Sequence, residues 1–149
     1  MQYDEFIKRV HERGEFGSRE QAVETVRIVL STLGERLYRT TRDSLEAELP
    51  DELKAYWWER RDPEKTYLQR ELFDLEELYT RVQTRADISR DEAMRHVRVV
   101  VQVLREAISS GAWQDLEEAW PDEYDALLDQ EREEPMELRI DKSGEADLE

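Results

Sequence analysis

The sequence contains no cysteine, which excludes disulfide bonds, thiolate metal ligands and cysteine nucleophiles. Lysine is also scarce, because only four of the 22 basic residues are lysine and the other 18 are arginine. The 38 acidic residues outnumber both types together and give a formal net charge of −16. Since phosphate contacts need a local excess of Lys and Arg, we expect neither nucleic acid nor a membrane surface as a partner.

Long hydrophobic runs and a signal peptide are missing as well. No apolar stretch approaches the roughly 18 residues of a membrane span, and the start of the chain lacks basic and apolar regions. We therefore expect a soluble, cytoplasmic protein. The acidic composition suits a halophilic cytoplasm, in which carboxylates keep a protein hydrated, and it suits equally a high-GC genome combined with an acidic tail.

Motifs that carry chemistry are also missing. The sequence has no phosphate-binding glycine loop, serine elbow or helical metal motif. Its two histidines, His11 and His96, fall on different predicted helices with no second histidine at i+3 or i+4, so we predict no metal and no cofactor. His96 lies beside a predicted core stripe, and we expect it to be a hydrogen-bonded boundary residue. The sequence predicts a protein that is not an enzyme.

What the chain does have is an internal repeat. Residues 18–22 and 89–93 read Ser-Arg-Glu-Gln-Ala and Ser-Arg-Asp-Glu-Ala, and each is followed by a Val-Arg pair within an apolar stretch. Between residues 18–55 and 89–126, 14 of the 38 positions are identical at an offset of 71. This level of identity predicts an internal duplication.

Both copies are predicted to be helical. Ser18 and Ser89 are suitable N-caps, and Gln21 and Glu92, three residues later, would complete capping boxes. The β-branched run 97–103 has strand propensity, but its cap and its helical duplicate favour a helix. Helices are expected at about 3–13, 19–39, 51–60 and 90–108, and Asp74 is expected to cap another.

The predicted fold is all-α. Two homologous repeats of three to four helices, 1–60 and 74–130, are expected to pack as a pseudo-twofold bundle around the helices at 19–39 and 90–108. Residues 61–73 form a linker that could itself be helical. Residues 131–149 are expected to be an acidic disordered tail, because acidic residues dominate there and apolar anchors are few.

Four segments of the first copy resemble the family known as domain of unknown function 2267: Tyr3-Asp4-Glu5-Phe6, Ser18-Arg19-Glu20-Gln21-Ala22, Leu33-Gly34-Glu35-Arg36-Leu37 and Leu49-Pro50-Asp51-Glu52-Leu53. The resemblance covers nearly all of residues 3–130. It implies a small, all-helical, tandem-duplicated protein of a kind found in bacteria and salt-loving archaea. The second copy departs from the pattern at residues 105–108 and at Trp120. No activity is established for the family, so the resemblance implies no site residues.

Two arginines occupy equivalent positions on the predicted central helices. Arg27 and Arg98 need partners if they are buried. We expect each to pair with a duplicated carboxylate of its own repeat, the candidates being Asp51 or Glu52 for Arg27 and Asp122 or Glu123 for Arg98. The alternative is an anion pocket shared by both arginines across the pseudo-twofold axis.

Tryptophans differ between the copies. Trp57 and Trp120 align with leucines and are predicted to be core, whereas Trp58 aligns with Asp129 and Trp113 with Arg42. Trp58 and Trp113 are therefore predicted to be partly exposed and to bind a protein partner. The predicted function is that of a protein-interaction or regulatory module, and the sequence leaves open a role in stress. The protein is expected to be a monomer or a homodimer. The alternative is a small-molecule-binding or anion-binding bundle, catalytic or not, that uses Arg27 and Arg98.

Overall fold

A computed structural model describes residues 1–37, 44–60, 73–120 and 122–127. The regular elements of this part of the chain are all helical, which confirms the predicted all-α class. The predicted linker, apart from Phe73, and the predicted tail lie outside the described residues. Within the described ranges no helix is long and apolar enough to cross a membrane. The elements in chain order are α1 (Tyr3–Gly14), α2 (Arg19–Gly34), α3 (Asp51–Trp58), α4 (Leu75–Ala86), α5 (Arg90–Ala107), α6 (Ser110–Ala119) and a 3-10 turn (Asp122–Asp125).

The helix starts follow the predicted capping chemistry, with one difference. At α5, Ser89 Oγ accepts from Glu92 N at 3.1 Å and Glu92 Oε1 accepts from Ser89 N at 3.0 Å, which completes the capping box. At α2, Ser18 Oγ accepts from Gln21 N at 3.2 Å, but Gln21 Oε1 accepts from Gly17 N rather than from Ser18. The loop before α2 is one residue longer than the loop before α5, and it brings the Gly17 N–H within reach.

The central helices differ from the prediction in length rather than in kind. The β-branched run 97–103 is helical and lies inside α5, where its apolar side chains are buried in the core. α2 ends at Gly34, earlier than the predicted residue 39, and a turn follows over 35–37. At Gly34 the chain passes so close to α3 that an added Cβ would lie 2.3 Å from the carbonyl oxygen of Trp57.

α2 and α5 form the centre of the bundle. α2 packs against α1, α3, α4 and α5, while α5 also packs against α1 and α4. Their apolar faces supply much of one continuous core, and that core is joined from outside by buried side chains of α1, α3, α4 and α6. This arrangement leaves the N-terminal halves of α2 and α5, with the loops before them, to frame one face of the molecule.

Ion pairs link the two halves reciprocally. Arg9 and Arg13 of α1 bind Glu106 of α5, and the equivalent Arg81 and Arg85 of α4 bind Glu35, which directly follows α2. In each case the first helix of one half binds the end of the central helix of the other half. Two units related by a twofold axis are expected to exchange contacts in this way. The duplication itself and the pseudo-twofold packing stay predictions, and the reciprocal pairs agree with both.

Candidate functional site

A cleft of about 430 Å³ opens between the N-terminal halves of α2 and α5. Its volume lies within the range of sites that hold small molecules, roughly 300–1,000 Å³. The loops that precede the two helices close its ends. The lining residues are Glu15, Phe16, Gly17, Gln21, Glu24, Thr25, Ile28, Arg85, Ala86, Ile88, Glu92, Arg95 and His96.

Equivalent positions of the two repeats face this cleft, and their residues differ. At an offset of 71 or 72, four positions of the first half and their counterparts in the second half all line it. The repeats keep their helix caps and their exchanged ion pairs, but here they diverge in size, polarity and charge. The four pairs are Phe16/Ile88, Gln21/Glu92, Glu24/Arg95 and Thr25/His96.

His96 is the most unusual side chain of the cleft. It is only 7% exposed, its ring meets the Phe16 ring edge-on at 4.8 Å, and its Nδ1 is buried without a hydrogen-bond partner in the described chain. The expectation that His96 is hydrogen-bonded is therefore wrong within the described residues, where the neighbouring ring is that of Phe16, which offers no hydrogen-bond acceptor or donor of its own. Burial, and then the charge of Arg95, lower the pKa of His96 below 6.5, while Glu92 opposes the shift. The imidazole is therefore neutral at pH 7.

Thr25 occupies the position equivalent to His96 on α2. It is 9% exposed, and its hydroxyl makes no hydrogen bond to any residue that the structure describes. Thr25 and His96 thus bring to one cleft two polar side chains that make no hydrogen bond to the described residues, and His96 Nδ1 is fully buried. Buried polar groups in folded proteins are nearly always hydrogen-bonded, so the imidazole calls for a specific explanation.

The charges of the cleft are unequally compensated. Arg85 donates to Thr32 Oγ1 at 2.8 Å and to Glu35 Oε2 at 3.0 Å, and Glu24 is held by Arg27 Nη2 at 2.6 Å. Glu92 serves the cap of α5, and its hydrogen bonds to Ser89 lower its pKa. Arg95 differs, because Nη1 donates to the carbonyl oxygen of Gly14 and no carboxylate of the described residues lies within 4 Å of it.

Arg27 is paired, but not with the predicted residues. It binds Glu24 of its own helix and Glu59 just after α3, instead of Asp51 or Glu52. The reason is the orientation of α3, whose C-terminal end lies against α2 while Asp51 and Glu52 stand exposed at its N-terminus. The hydrogen bonds to Glu24 come first among the causes that raise the pKa of Arg27.

Arg98 does not pair with its predicted partners either. Its Nε is buried and unpartnered, and within the described ranges neither Asp122 nor Glu123 forms an ion pair with it. Glu123 Oε1 accepts instead from the backbone N–H of Leu75 at 2.9 Å. Neither Arg27 nor Arg98 lines the cleft.

The tryptophan prediction fails at Trp113. This side chain is 6% exposed, packs edge-on against Trp120 with ring centroids 5.5 Å apart, and has the Arg105 guanidinium 5.5 Å from its ring centroid. Trp113 is equivalent to the charged Arg42 of the first repeat, but this equivalence did not indicate that Trp113 is exposed, because the Arg105 side chain covers its ring. Trp58 is half-buried against the core, whereas Trp57 and Trp120 are buried as predicted.

The sequence contained a signal for the cleft that the tryptophan comparison overlooked. The differing pairs 21/92, 24/95 and 25/96 follow helical spacing near the start of each central helix, and the pair 16/88 lies in the loop before it. Their divergence, mapped onto two helices that start side by side, marks one shared surface. The described residues contain no group of three His, Asp or Glu side chains that could hold a metal ion.

The fold and the cleft define an all-helical protein with an asymmetric recess between its two central helices. A family model described as "Uncharacterized conserved protein (DUF2267)" matches residues 3–127. The chain belongs to this family, as the resemblance of its first copy predicted. No curated protein matches the sequence.

Proposed function

We propose that this protein is a non-catalytic, cytoplasmic module that binds a small molecule in the cleft between α2 and α5. The observation that carries the proposal is the buried imidazole of His96, whose Nδ1 has no hydrogen-bond partner among the described residues, in the same cleft as the Thr25 hydroxyl. A ligand that supplies a hydrogen bond to this imidazole would offset its desolvation.

A small molecule explains the cleft better than a protein partner does. The interaction hypothesis depended on Trp58 and Trp113, and Trp113 is buried against Trp120. A concave, mostly preformed recess with a few convergent polar groups is typical of small-molecule sites. The test described below also distinguishes binding in the cleft from binding at Trp58.

Binding here would join the two halves of the chain. The cleft is lined by α2 and its preceding loop on one side and by α5 and its preceding loop on the other. A ligand that contacts both and binds only the folded protein would stabilise it against unfolding by mass action, by about 2.7 kcal/mol at a hundredfold excess over Kd. Such coupling of ligand and stability suits a regulatory module.

The test is an NMR titration of the ¹⁵N-labelled protein with three naphthalene probes that differ in charge: 2-naphthamide, 2-naphthoate and 2-naphthylmethylammonium. We expect at least one probe at millimolar concentration to shift the amide signals of residues 15–17, 85–88 and 92–96. The Thr25→Tyr variant should lose these shifts because the larger side chain fills the cleft.

Val23→Tyr is the matched control, since Val23 lies about 200° around the same helix and does not line the cleft. It should retain the shifts of the wild type. If none of the three probes moves the cleft signals, the proposal is wrong. Shifts confined to the surroundings of Trp58 would overturn it in favour of an interaction surface on α3.

A further inference from the structure

The ligand's charge can be inferred from what the cleft leaves uncompensated. Of its acidic side chains, Glu24 is neutralised by Arg27 and Glu92 is engaged in the cap of α5, while Glu15 stands exposed on the loop before α2. Of its basic side chains, Arg85 is neutralised by Glu35. Arg95 donates to a backbone carbonyl and forms no ion pair with a carboxylate of the described residues, although Glu92, one turn earlier on α5, attracts it at longer range.

The free edge of Arg95 has a defined shape. Nη1 is used on the Gly14 carbonyl oxygen, and neither Nε nor Nη2 has a hydrogen-bond partner among the described residues. Nε–H and Nη2–H form one of the parallel forks of a guanidinium, which matches the two oxygens of a carboxylate. The backbone contact fixes the guanidinium, so less side-chain entropy is lost when the fork is used.

The surroundings of Arg95 are apolar and aromatic. Its Cζ lies 5.9 Å from the centroid of the Phe16 ring, and the same ring packs against His96 at 4.8 Å. Ile28 and Ile88 add aliphatic surface to the lining. The Arg95 guanidinium and the neutral His96 imidazole therefore both lie beside the Phe16 ring. These surroundings suit a ligand that combines a flat apolar ring system with one anionic group.

The net charge of −16 opposes any anion at long range. Salt screens this repulsion, because the Debye length is about 8 Å at physiological ionic strength, whereas a direct, partly buried contact is screened much less. The local fork therefore decides the preference once a ligand has reached the cleft.

We propose that the cleft takes a small carboxylate with a flat apolar body, whose two carboxylate oxygens bind Nε and Nη2 of Arg95 while its body packs against Phe16. This inference rests on the proposed function and specifies its ligand class. His96 and Thr25 supply the hydrogen bonds that fix the ligand's orientation.

The test compares 2-naphthoate, which is ionised at pH 7, with 2-naphthamide, its uncharged counterpart of nearly the same shape, at 0.15 M salt. We expect 2-naphthoate to bind at least about tenfold more tightly, since hydrogen bonds between charged groups contribute more than those of a neutral amide. Arg95→Gln should remove this advantage and leave 2-naphthamide binding unchanged. Arg95→Lys should restore only part of it, because lysine keeps the charge and lacks the fork.

Arg90→Gln is the control, because it removes the same charge from the same helix at a residue that does not line the cleft. It should leave the preference for 2-naphthoate intact. Equal binding of the two probes, tighter binding of 2-naphthylmethylammonium, or a preference that survives Arg95→Gln would overturn the ligand class while the cleft remains a binding site. Failure of all three probes would overturn the proposed function itself.

Discussion

The two halves of the molecule exchange the same ion pairs but bury them to different depths. Glu35 accepts from Arg81 at 2.7 Å and from Arg85 at 3.0 Å, and its side chain is 8% exposed. Glu106, at the equivalent position, accepts from Arg9 at 2.7 Å, and its side chain is 35% exposed. One sequence pattern therefore produces a buried network in one half and a surface network in the other.

The surroundings of Glu35 account for the difference. Arg81 lies 4.1 Å above the ring of Phe73, and Arg85 also donates to the buried Thr32 hydroxyl. Around Glu106 the arginines themselves stay about a third exposed. Screening by water makes surface pairs worth little, whereas breaking a buried pair strands charge in a poorly solvated place. Equivalent positions of the two repeats therefore form the same ion pairs, but these pairs are expected to contribute differently to stability.

The largest expected effect comes from Glu35→Gln. Removing the carboxylate takes the charged partner of Arg85 away and leaves Arg81 with Glu77, and we expect a loss of about 3 kcal/mol in the free energy of unfolding. Glu106→Gln should cost less than about 1 kcal/mol. Urea unfolding measures both, provided that the two variants keep the same m-value. Equal losses would mean that burial does not separate the two networks.

The sequence was sufficient for the features that depend on local chemistry. The caps at Ser89 and Asp74 and the helical state of residues 97–103 followed from spacing and from the repeat. The exchange between Glu35 and α4 could not be predicted, since it depends on which helix crosses which. The orientation of α3 was also inaccessible, and the pairing of Arg27 was predicted wrongly for that reason.

The cleft was not predicted from the sequence. Thr25 and His96 do differ between the repeats, but His96 was expected to be a hydrogen-bonded boundary residue and Thr25 was not singled out. Trp58 is partly exposed as predicted, whereas Trp113 is buried, because burial depends on packing that the sequence comparison does not show, here against Trp120 and beneath Arg105.

A second comparison concerns the ends of the central helices. Gly34 and Arg105 are equivalent, but a Cβ at Gly34 would lie 2.3 Å from the backbone oxygen of Trp57, while Arg105 is exposed. We expect Gly34→Ala to destabilise the protein by about 1–3 kcal/mol, since backbone must move to make room. Arg105→Ala should cost less than about 1 kcal/mol, mainly its contact with Trp113.

Thermal and urea unfolding of both variants, with Gly111→Ala as a further control, would check this expectation. Gly111 lies in α6, and an added Cβ there meets no atom closer than 4.0 Å. Gly111→Ala should therefore be neutral or stabilising by up to about 1 kcal/mol. A neutral Gly34→Ala would show that α3 shifts freely relative to α2.

The smallest effects are expected at Arg27 and Arg98. Arg27→Met keeps the aliphatic stem but strands Glu24 and Glu59, so it should cost about 0.2–1 kcal/mol. Arg98→Met removes a buried Nε that has no partner in the described chain and also removes the attraction between its guanidinium and the Tyr79 hydroxyl, so we expect the two effects nearly to cancel and the variant to be close to neutral. Urea unfolding in parallel at low and high salt distinguishes them, because only the Arg27 loss should shrink as salt screens its pairs. A larger loss of unfolding free energy for Arg98→Met than for Arg27→Met would contradict this expectation. It would mean that the Arg98 guanidinium makes stabilising contacts in the folded protein, as Arg27 does in the other half.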